Sequence, residues 1–369
     1  MLGRTVVVFG AGATKACGGP LTNEILPDLL ALRRELEREG YLDLVDRFLI
    51  ENFNVPRTGR RPEHFPPLPL VLSLVDTAVD RGDAFGPSWG ADRLRTVREG
   101  LEYGIFALLE HRLRAIAPHY KRFLGNLYAA SPEDVTLLSL NYDIIADNAL
   151  PALAEYQGRL ALPDYCCDIA TDAYRQADKF GKLIKLHGSL NWLYCPNCHR
   201  LDLGVAPSGR RTVKVLNSLY LDDLNAKYGC HGSPCSECGT FVRPVLITPT
   251  HMKDYRNPHI ARVWYEAARA LREAEHVIFI GYSMPEDDVE VIYLFKRGLV
   301  DVKRVTVVEH AGTGKGAALD VHPVGRRYRA LFGNRIDWWP KGFSAWIDHA
   351  SANGFAAPRV RRRRAAAAR

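Results

Sequence analysis

The chain lacks any apolar run long enough to cross a bilayer, and its start lacks the basic stretch followed by an apolar segment that marks a secretory leader. Met1 leads almost at once into Thr5-Val6-Val7-Val8-Phe9, which reads as a folded strand, so a cytoplasmic location is expected. The body of the chain also lacks a surplus of positive charge. The formal net charge is +7, but six arginines fall between Arg359 and Arg369, and without them the balance is 7 − 6 = +1. The body therefore gives no electrostatic sign of nucleic-acid binding. The tail is a charge run of the kind usually solvated, and it is where an acidic partner or nucleic acid would attach. With 369 residues, 47% hydrophobic and 25% charged, the composition is that of an ordinary globular protein of one to three domains. Of its eight cysteines, four stand in two CxxC pairs, a pattern that favours metal over disulfides in a reducing compartment.

Val6 to Phe9 is β-branched and apolar without alternation, as expected of a central parallel strand covered on both faces. It runs into Gly10-Ala11-Gly12-Ala13-Thr14, where glycines let backbone approach a phosphate and a helix start offers free N–H groups. The strict G-x-G-x-x-G pattern is missing, because Lys15 occupies the third glycine position, and no acidic residue ends a second strand about twenty positions on. From about residue 21 to 130 the apolar spacing is helical, with loops over Asn52–Pro69 and Arg81–Ala91. This section reads as a helical insertion after the first strand.

Val135 to Leu140 is a second strand, ending in Asn141-Tyr142-Asp143. Polar residues at a strand's carboxyl end stand where open α/β sheets bind ligands, although Asp143 would equally cap the helix that follows, and Asn141 less readily. A loop is expected around Tyr156–Asp172, then an apolar run from Leu183 ending at His187-Gly188. Taken alone, that histidine is better read as a satisfied core residue; the paired cysteines that follow and the glycine loop after the first strand reverse that preference. Beyond it, Cys195-Pro196-Asn197-Cys198 and Cys235-Ser236-Glu237-Cys238 form two knuckles able to close a tetrahedral zinc site. Thirty-six residues separate the pairs, which suggests an insertion around Leu201–Tyr228, with Cys230 and His231 as competing ligands. The α/β pattern is expected to resume with strands at Pro244–Thr248, His276–Ile280 and Val305–Val308. The second of these ends in Gly281-Tyr282-Ser283, followed by a helix over Glu286–Arg297, and the third ends at Glu309, an exposed carboxylate or a ribose acceptor.

In this order, Gly10-Ala11-Gly12, Asn141-Tyr142-Asp143, His187-Gly188, the two CxxC pairs and Gly281-Tyr282-Ser283 resemble the sirtuin (SIR2-like) superfamily, over about residues 4–312 apart from the insertion. The resemblance implies an α/β fold: a Rossmann-like, mostly parallel sheet with a helical insertion and a small zinc-binding module. It places a catalytic domain over 1–345, the insertion at about 21–130 and the zinc module at about 193–243, with 346–369 as a C-terminal segment. It also implies NAD+ as substrate and structural Zn2+ on Cys195, Cys198, Cys235 and Cys238. Gly10, Ala11, Gly12 and Thr14 would line the dinucleotide. Gly281 and Ser283 would meet its phosphates or ribose, and Glu309 the adenosine ribose. Asn141, Asp143 and His187 would surround the nicotinamide ribose, with His187 as base. NAD is the expected partner, a homo-oligomer is left open, and no membrane is expected.

The chain departs from protein-deacylating sirtuins at several points. After the first loop it reads Gly18-Gly19-Pro20-Leu21-Thr22-Asn23 rather than Gly-Ile-Pro-x-Phe-Arg. Ser139-Leu140 replaces Thr-Gln before the asparagine, and Thr248-Pro249-Thr250-His251 stands near the place of Phe-Gly-Glu. These changes resemble the divergent SIR2-like branch of prokaryotic defence proteins that hydrolyse NAD. The cysteine knuckles resemble the deacylases. A module that binds NAD or ADP-ribose without turnover is the third alternative.

Overall fold

The computed structural model describes residues 3–36, 40–113, 118–130, 133–156, 161–204, 234–250, 253–353 and 355. The expected insertion at Leu201–Tyr228 lies outside these residues from 205 on, as do Cys230, His231, His251 and the Arg359–Arg369 tail.

Seven strands form one parallel sheet in the order β10-β9-β8-β1-β2-β4-β3. They are β1 (Thr5–Phe9), β2 (Val135–Ser139), β3 (Ala161–Asp164), β4 (Asp178–Lys185), β8 (His276–Ile280), β9 (Arg304–Val308) and β10 (Ile336–Trp339). Every residue of β1 and β8 is buried, which is why these runs show no polar alternation. The order reverses between β1 and β8. In open α/β sheets ligands bind outside the carboxyl ends at such a point.

The stretch between β1 and β2 is helical: α1 (Ala11–Lys15), α2 (Ile25–Ala31), α3 (Arg33–Leu36), α4 (Tyr41–Phe53), α5 (Leu68–Arg81), α6 (Ala91–Arg112) and α7 (Pro118–Ala130). Beyond it run α8 (Ile145–Tyr156), α9 (Asp172–Gln176), α10 (Pro258–Glu273), α11 (Val289–Gly298), α12 (Pro323–Phe332) and α13 (Gly342–Asn353). Asn257 caps α10, its side chain accepting from the N–H groups of His259 and Ile260 at 3.0 and 3.3 Å. Phe123 of α7 packs against Trp346 of α13, with ring centroids 5.5 Å apart, and Trp346 is fully buried. Helix α13 crosses residue 345, so the segment beginning at 346 is packed into the same core as the sheet. Among the described residues no helix is long and apolar enough to cross a membrane.

A second sheet, β6-β5-β7, is antiparallel: β5 (Gly188–Tyr194), β6 (Leu201–Leu203) and β7 (Arg243–Leu246). Here the expectation for Pro244–Thr248 fails. The strand is shorter and belongs to this small sheet, not the parallel one. Its cause lies at Gly188, with φ of 77°, where a Cβ would sit 1.9 Å from the carbonyl oxygen of Val245. The chain turns out of the parallel sheet at that glycine, and β7 returns against it. Two parallel strands carry no strand signal in the sequence. β3 falls within the expected Tyr156–Asp172 loop and contains Pro163, and β10 is four residues long. The helix expected over Glu286–Arg297 begins later, at Val289.

Candidate active site

Because β1, β2, β4, β8 and β9 are parallel, their carboxyl ends share one rim, and every non-metal residue singled out in the sequence stands there. Gly10, Ala11, Gly12, Thr14, Asn141, Asp143, His187, Gly281, Ser283 and Glu309 all line one cavity of about 450 Å³. That lies within the roughly 300–1,000 Å³ usual for small-molecule sites.

The two glycine loops interlock at the reversal point. The Gly10 N–H donates to the Ile280 carbonyl at 3.0 Å, and the Gly12 N–H to the Gly281 carbonyl at 2.8 Å. A Cβ on Gly12 would lie 2.7 Å from the Gly281 Cα, and one on Gly281 only 2.4 Å from the Ala13 nitrogen. Gly281 also has φ of 62°, a left-handed conformation that glycine adopts without penalty. These glycines are thus required for loop-to-loop packing as well as for any approach to a ligand. Lys15, in place of the third glycine, forms an ion pair with Glu24 at 2.7 Å. The Glu24 carboxylate also accepts the Leu21 N–H at 2.8 Å. This pair draws Leu21, Thr22 and Asn23 onto the cavity wall.

Behind the first loop runs a buried polar chain. The Asn141 amide donates to the Gly10 carbonyl and to the Thr14 hydroxyl, both at 2.9 Å. The Thr14 hydroxyl in turn donates to Asp143 Oδ2. Asp143 Oδ1 accepts the Ile145 N–H at 3.0 Å, so both carboxylate oxygens are engaged in holding the loop and the start of α8. This is the capping alternative for Asp143. Burial raises the Asp143 carboxyl pKa, against the lowering by Lys185 and by the Thr14 hydrogen bond. Lys185 pairs with Asp147 at 3.0 Å, with both side chains fully buried, and it donates to the Asp143 carbonyl.

His187 follows β4. Its Nδ1 lies 3.0 Å from the Leu140 carbonyl, which accepts only if Nδ1 carries the proton. That contact fixes Nε2 as the basic nitrogen of the neutral ring. Nε2 is buried and has no hydrogen-bond partner among the described residues. Burial pushes the imidazole pKa below its ordinary value, with Asp288 acting against that and Lys253 with it. Burial thus favours the neutral ring over the imidazolium.

Asp288 and Lys253 also line the cavity, and sequence reasoning missed them. They form a buried ion pair, and Asp288 Oδ2 accepts the Tyr282 hydroxyl at 2.8 Å. Lys253 stands in irregular chain after β7, and Asp288 in the loop before α11. Neither ends a strand, so no periodic signal marks them. Tyr142, within a recognised motif but given no role, donates its hydroxyl to the Ile247 carbonyl at 2.7 Å.

The four cysteines converge outside this cavity. Cys195 Sγ lies 3.4 Å from Cys238 Sγ, and Cys198 Sγ lies 3.6 Å from Cys235 Sγ. All four sulfurs fall within 4.8 Å of one another. A tetrahedron built on Zn–S bonds of about 2.3 Å has edges of about 3.8 Å, so the donor set fits zinc. Both knuckles make the same turn. The N–H groups of His199 and Gly239 donate to the carbonyls of Cys195 and Cys235 at 3.0 and 2.9 Å. Both residues have left-handed φ, of 62° and 72°. When bound, the ion would pin β5 and the chain before β7 together, a structural task.

No protein-family model matches the chain, and no curated protein matches it. Several solved Sir2 structures are similar in arrangement. A complex of Sir2Tm with a propionylated peptide is 14% identical, covers 95% of this chain and 92% of that one, and has a TM-score of 0.42. A Sir2–p53 peptide–NAD+ complex is 14% identical, with the same coverage and a TM-score of 0.43. A Sir2 homologue with three substitutions, bound to 2'-O-acetyl ADP ribose, is 12% identical, covers 94% of this chain and 90% of that one, and has a TM-score of 0.45.

Proposed function

We propose that the chain is a SIR2-like enzyme that cleaves the nicotinamide–ribose bond of NAD+ and passes the ADP-ribosyl group to water. One observation carries the reading. A buried histidine, with Nδ1 held by a backbone carbonyl and Nε2 without a hydrogen-bond partner among the described residues, shares one cavity with Asn141 and two interlocked glycine loops.

In this reading the C–N bond breaks with its electron pair leaving on the nicotinamide nitrogen, which neutralises the pyridinium and leaves an oxocarbenium-like C1'. Water adds at C1', and its proton passes to His187 Nε2, giving nicotinamide, ADP-ribose and a proton. A base of depressed pKa is already unprotonated at neutral pH and can accept that proton. Asn141 sets the first loop relative to the base, because its amide is tied to the Gly10 carbonyl. Asp143 acts one step back, holding Thr14 and the start of α8. Replacing His187 or Asn141 by alanine is expected to lower nicotinamide release about a hundredfold or more in folded protein.

The four-thiol cluster favours a second reading, NAD-dependent lysine deacylation. There an acyl oxygen attacks C1' first, and the same base then takes a ribose hydroxyl proton. Products distinguish the two. Nicotinamide released without peptide supports hydrolysis, and release that requires an acylated peptide supports deacylation.

A further inference from the structure

The helical insertion grips the cavity wall through the guanidinium of Arg98. This residue lies on α6 and is partly buried. Its Nε donates to Asp76 Oδ1 of α5 at 2.7 Å, and its Nη1 to Glu102 Oε2, one turn along α6, at 3.0 Å. Two carboxylates thus fix a planar, rigid fork. The remaining edge leaves the insertion, and Nη2 donates to Thr248 Oγ1 at 2.9 Å. Thr248 is buried and directly follows Ile247. The Ile247 N–H donates to the His187 carbonyl at 2.9 Å, and the Ile247 carbonyl accepts the Tyr142 hydroxyl at 2.7 Å.

The segment after β7 is buried at Ile247, Thr248 and Thr250, yet it adopts no regular secondary structure. It runs between the active-site cavity and a second cavity of about 840 Å³, lined in part by Asp76, Arg98, Leu246 and Thr250, and Ile247 lines both. With a cavity on each side, its buried polar ties add to the packing of Ile247 in fixing its position. The bond from Arg98 to Thr248 is charge-assisted, and so stronger than a neutral hydrogen bond of the same length.

We propose that Arg98 is a positioning residue for His187. Through Thr248 it fixes Ile247, and through Ile247 it fixes the backbone carrying the imidazole and the Tyr142 ring, whose centroid lies 6.3 Å from that of His187. The insertion is then more than a cover over the sheet, since a shift of α5 against α6 is transmitted to the base with no ligand bound to the insertion. The functional weight of this tie rests on the cavity being the active site as proposed above, whereas the mechanical tie does not.

The test replaces Thr248, leaving Arg98 with both its carboxylates. Thr248→Val removes the acceptor and keeps the shape, and Thr248→Ser restores the hydroxyl. Hydrogen exchange of the Ile247 amide in substrate-free protein is expected to quicken about tenfold to a hundredfold in the valine variant, the scale of one lost hydrogen bond to a charged group. It should return to the parent rate in the serine variant. The amides of Cys195 and Cys235, in the cysteine knuckles, should not change in either. Arg98→Lys, which keeps the charge but not the fork, should behave as Thr248→Val does. In NAD+ cleavage, kcat should fall about tenfold in Thr248→Val with KM nearly unchanged, and serine should restore it. Unchanged Ile247 exchange in both Thr248→Val and Arg98→Lys overturns the tie, as does a rise shared equally by the knuckle amides. If the exchange result holds while the parent protein cleaves no NAD+, the tie stands and the assigned reaction fails.

Discussion

Replacing Thr14 by valine removes one hydroxyl and nearly preserves the shape of the side chain. That hydroxyl accepts from Asn141 and donates to the buried Asp143 carboxylate. The bond to the carboxylate is of the charged kind, about 1.5–3 kcal/mol, and the neutral one is about 1 kcal/mol, so the variant should lose about 2.5–4 kcal/mol at a pH above the folded value of Asp143. The loss should depend on pH. Asp143 has its folded pKa raised by burial, and the Thr14 hydrogen bond is among the interactions that lower it. Without that bond the pKa climbs further. Below the unfolded value, about 3.9, Asp143 is protonated in both states, and the charge-assisted part of the deficit is absent. As pH rises through the folded value, the buried carboxylate, left with the Ile145 N–H but without the Thr14 hydroxyl, weighs on the folded state alone. Urea unfolding of parent and variant at pH 7 and near pH 4 should therefore show the larger gap at pH 7. An equal gap at the two pH values, or one below about 1 kcal/mol at pH 7, would refute the buried relay from Asn141 through Thr14 to Asp143.

Protein purified without chelators should contain about one zinc per chain, and Cys235→Ser should lower stability and zinc content together, as read by metal analysis and thermal unfolding. Gly281→Ala forces a left-handed alanine and a Cβ 2.4 Å from the Ala13 nitrogen. It should cost more than about 1 kcal/mol and weaken NAD+ binding by calorimetry, because the two glycine loops must part. Deleting residues 358–369 should leave the melting temperature and nicotinamide release unchanged, and a large drop in melting temperature would show that the tail is part of the fold.

The strands easiest to read were those buried on both faces. β1, β2, β8 and β9 are short apolar runs, and the polar residues following them fell on one rim because the strands are parallel. That is why Asn141, Gly281 and Glu309, with His187 after the apolar end of β4, could be picked from sequence and then stand together around one cavity. Other features depend on tertiary contact. The run at β7 has the composition of a parallel strand, and only the close pass at Gly188 sends it into the small sheet. Lys253 and Asp288 come from irregular segments separated by α10 and β8, and they meet only once those elements pack. Asp143 showed both of its meanings in sequence, and the structure engages both of its oxygens in capping and loop contacts. The interlock of Gly12 with Gly281 was hidden as well, since a glycine selected for contact with another backbone looks the same in sequence as one selected for contact with a phosphate.

The most direct test of the central claim is product analysis with NAD+ alone. The purified full chain is incubated with NAD+, with and without an acylated lysine peptide, alongside its His187→Ala variant, and nicotinamide, ADP-ribose and O-acyl-ADP-ribose are separated and counted. The account predicts nicotinamide and ADP-ribose in equal amounts without peptide, and their loss in the variant. O-acyl-ADP-ribose formed only when peptide is present would contradict the hydrolase reading, and nicotinamide released by His187→Ala at the parent rate would contradict the assigned active site.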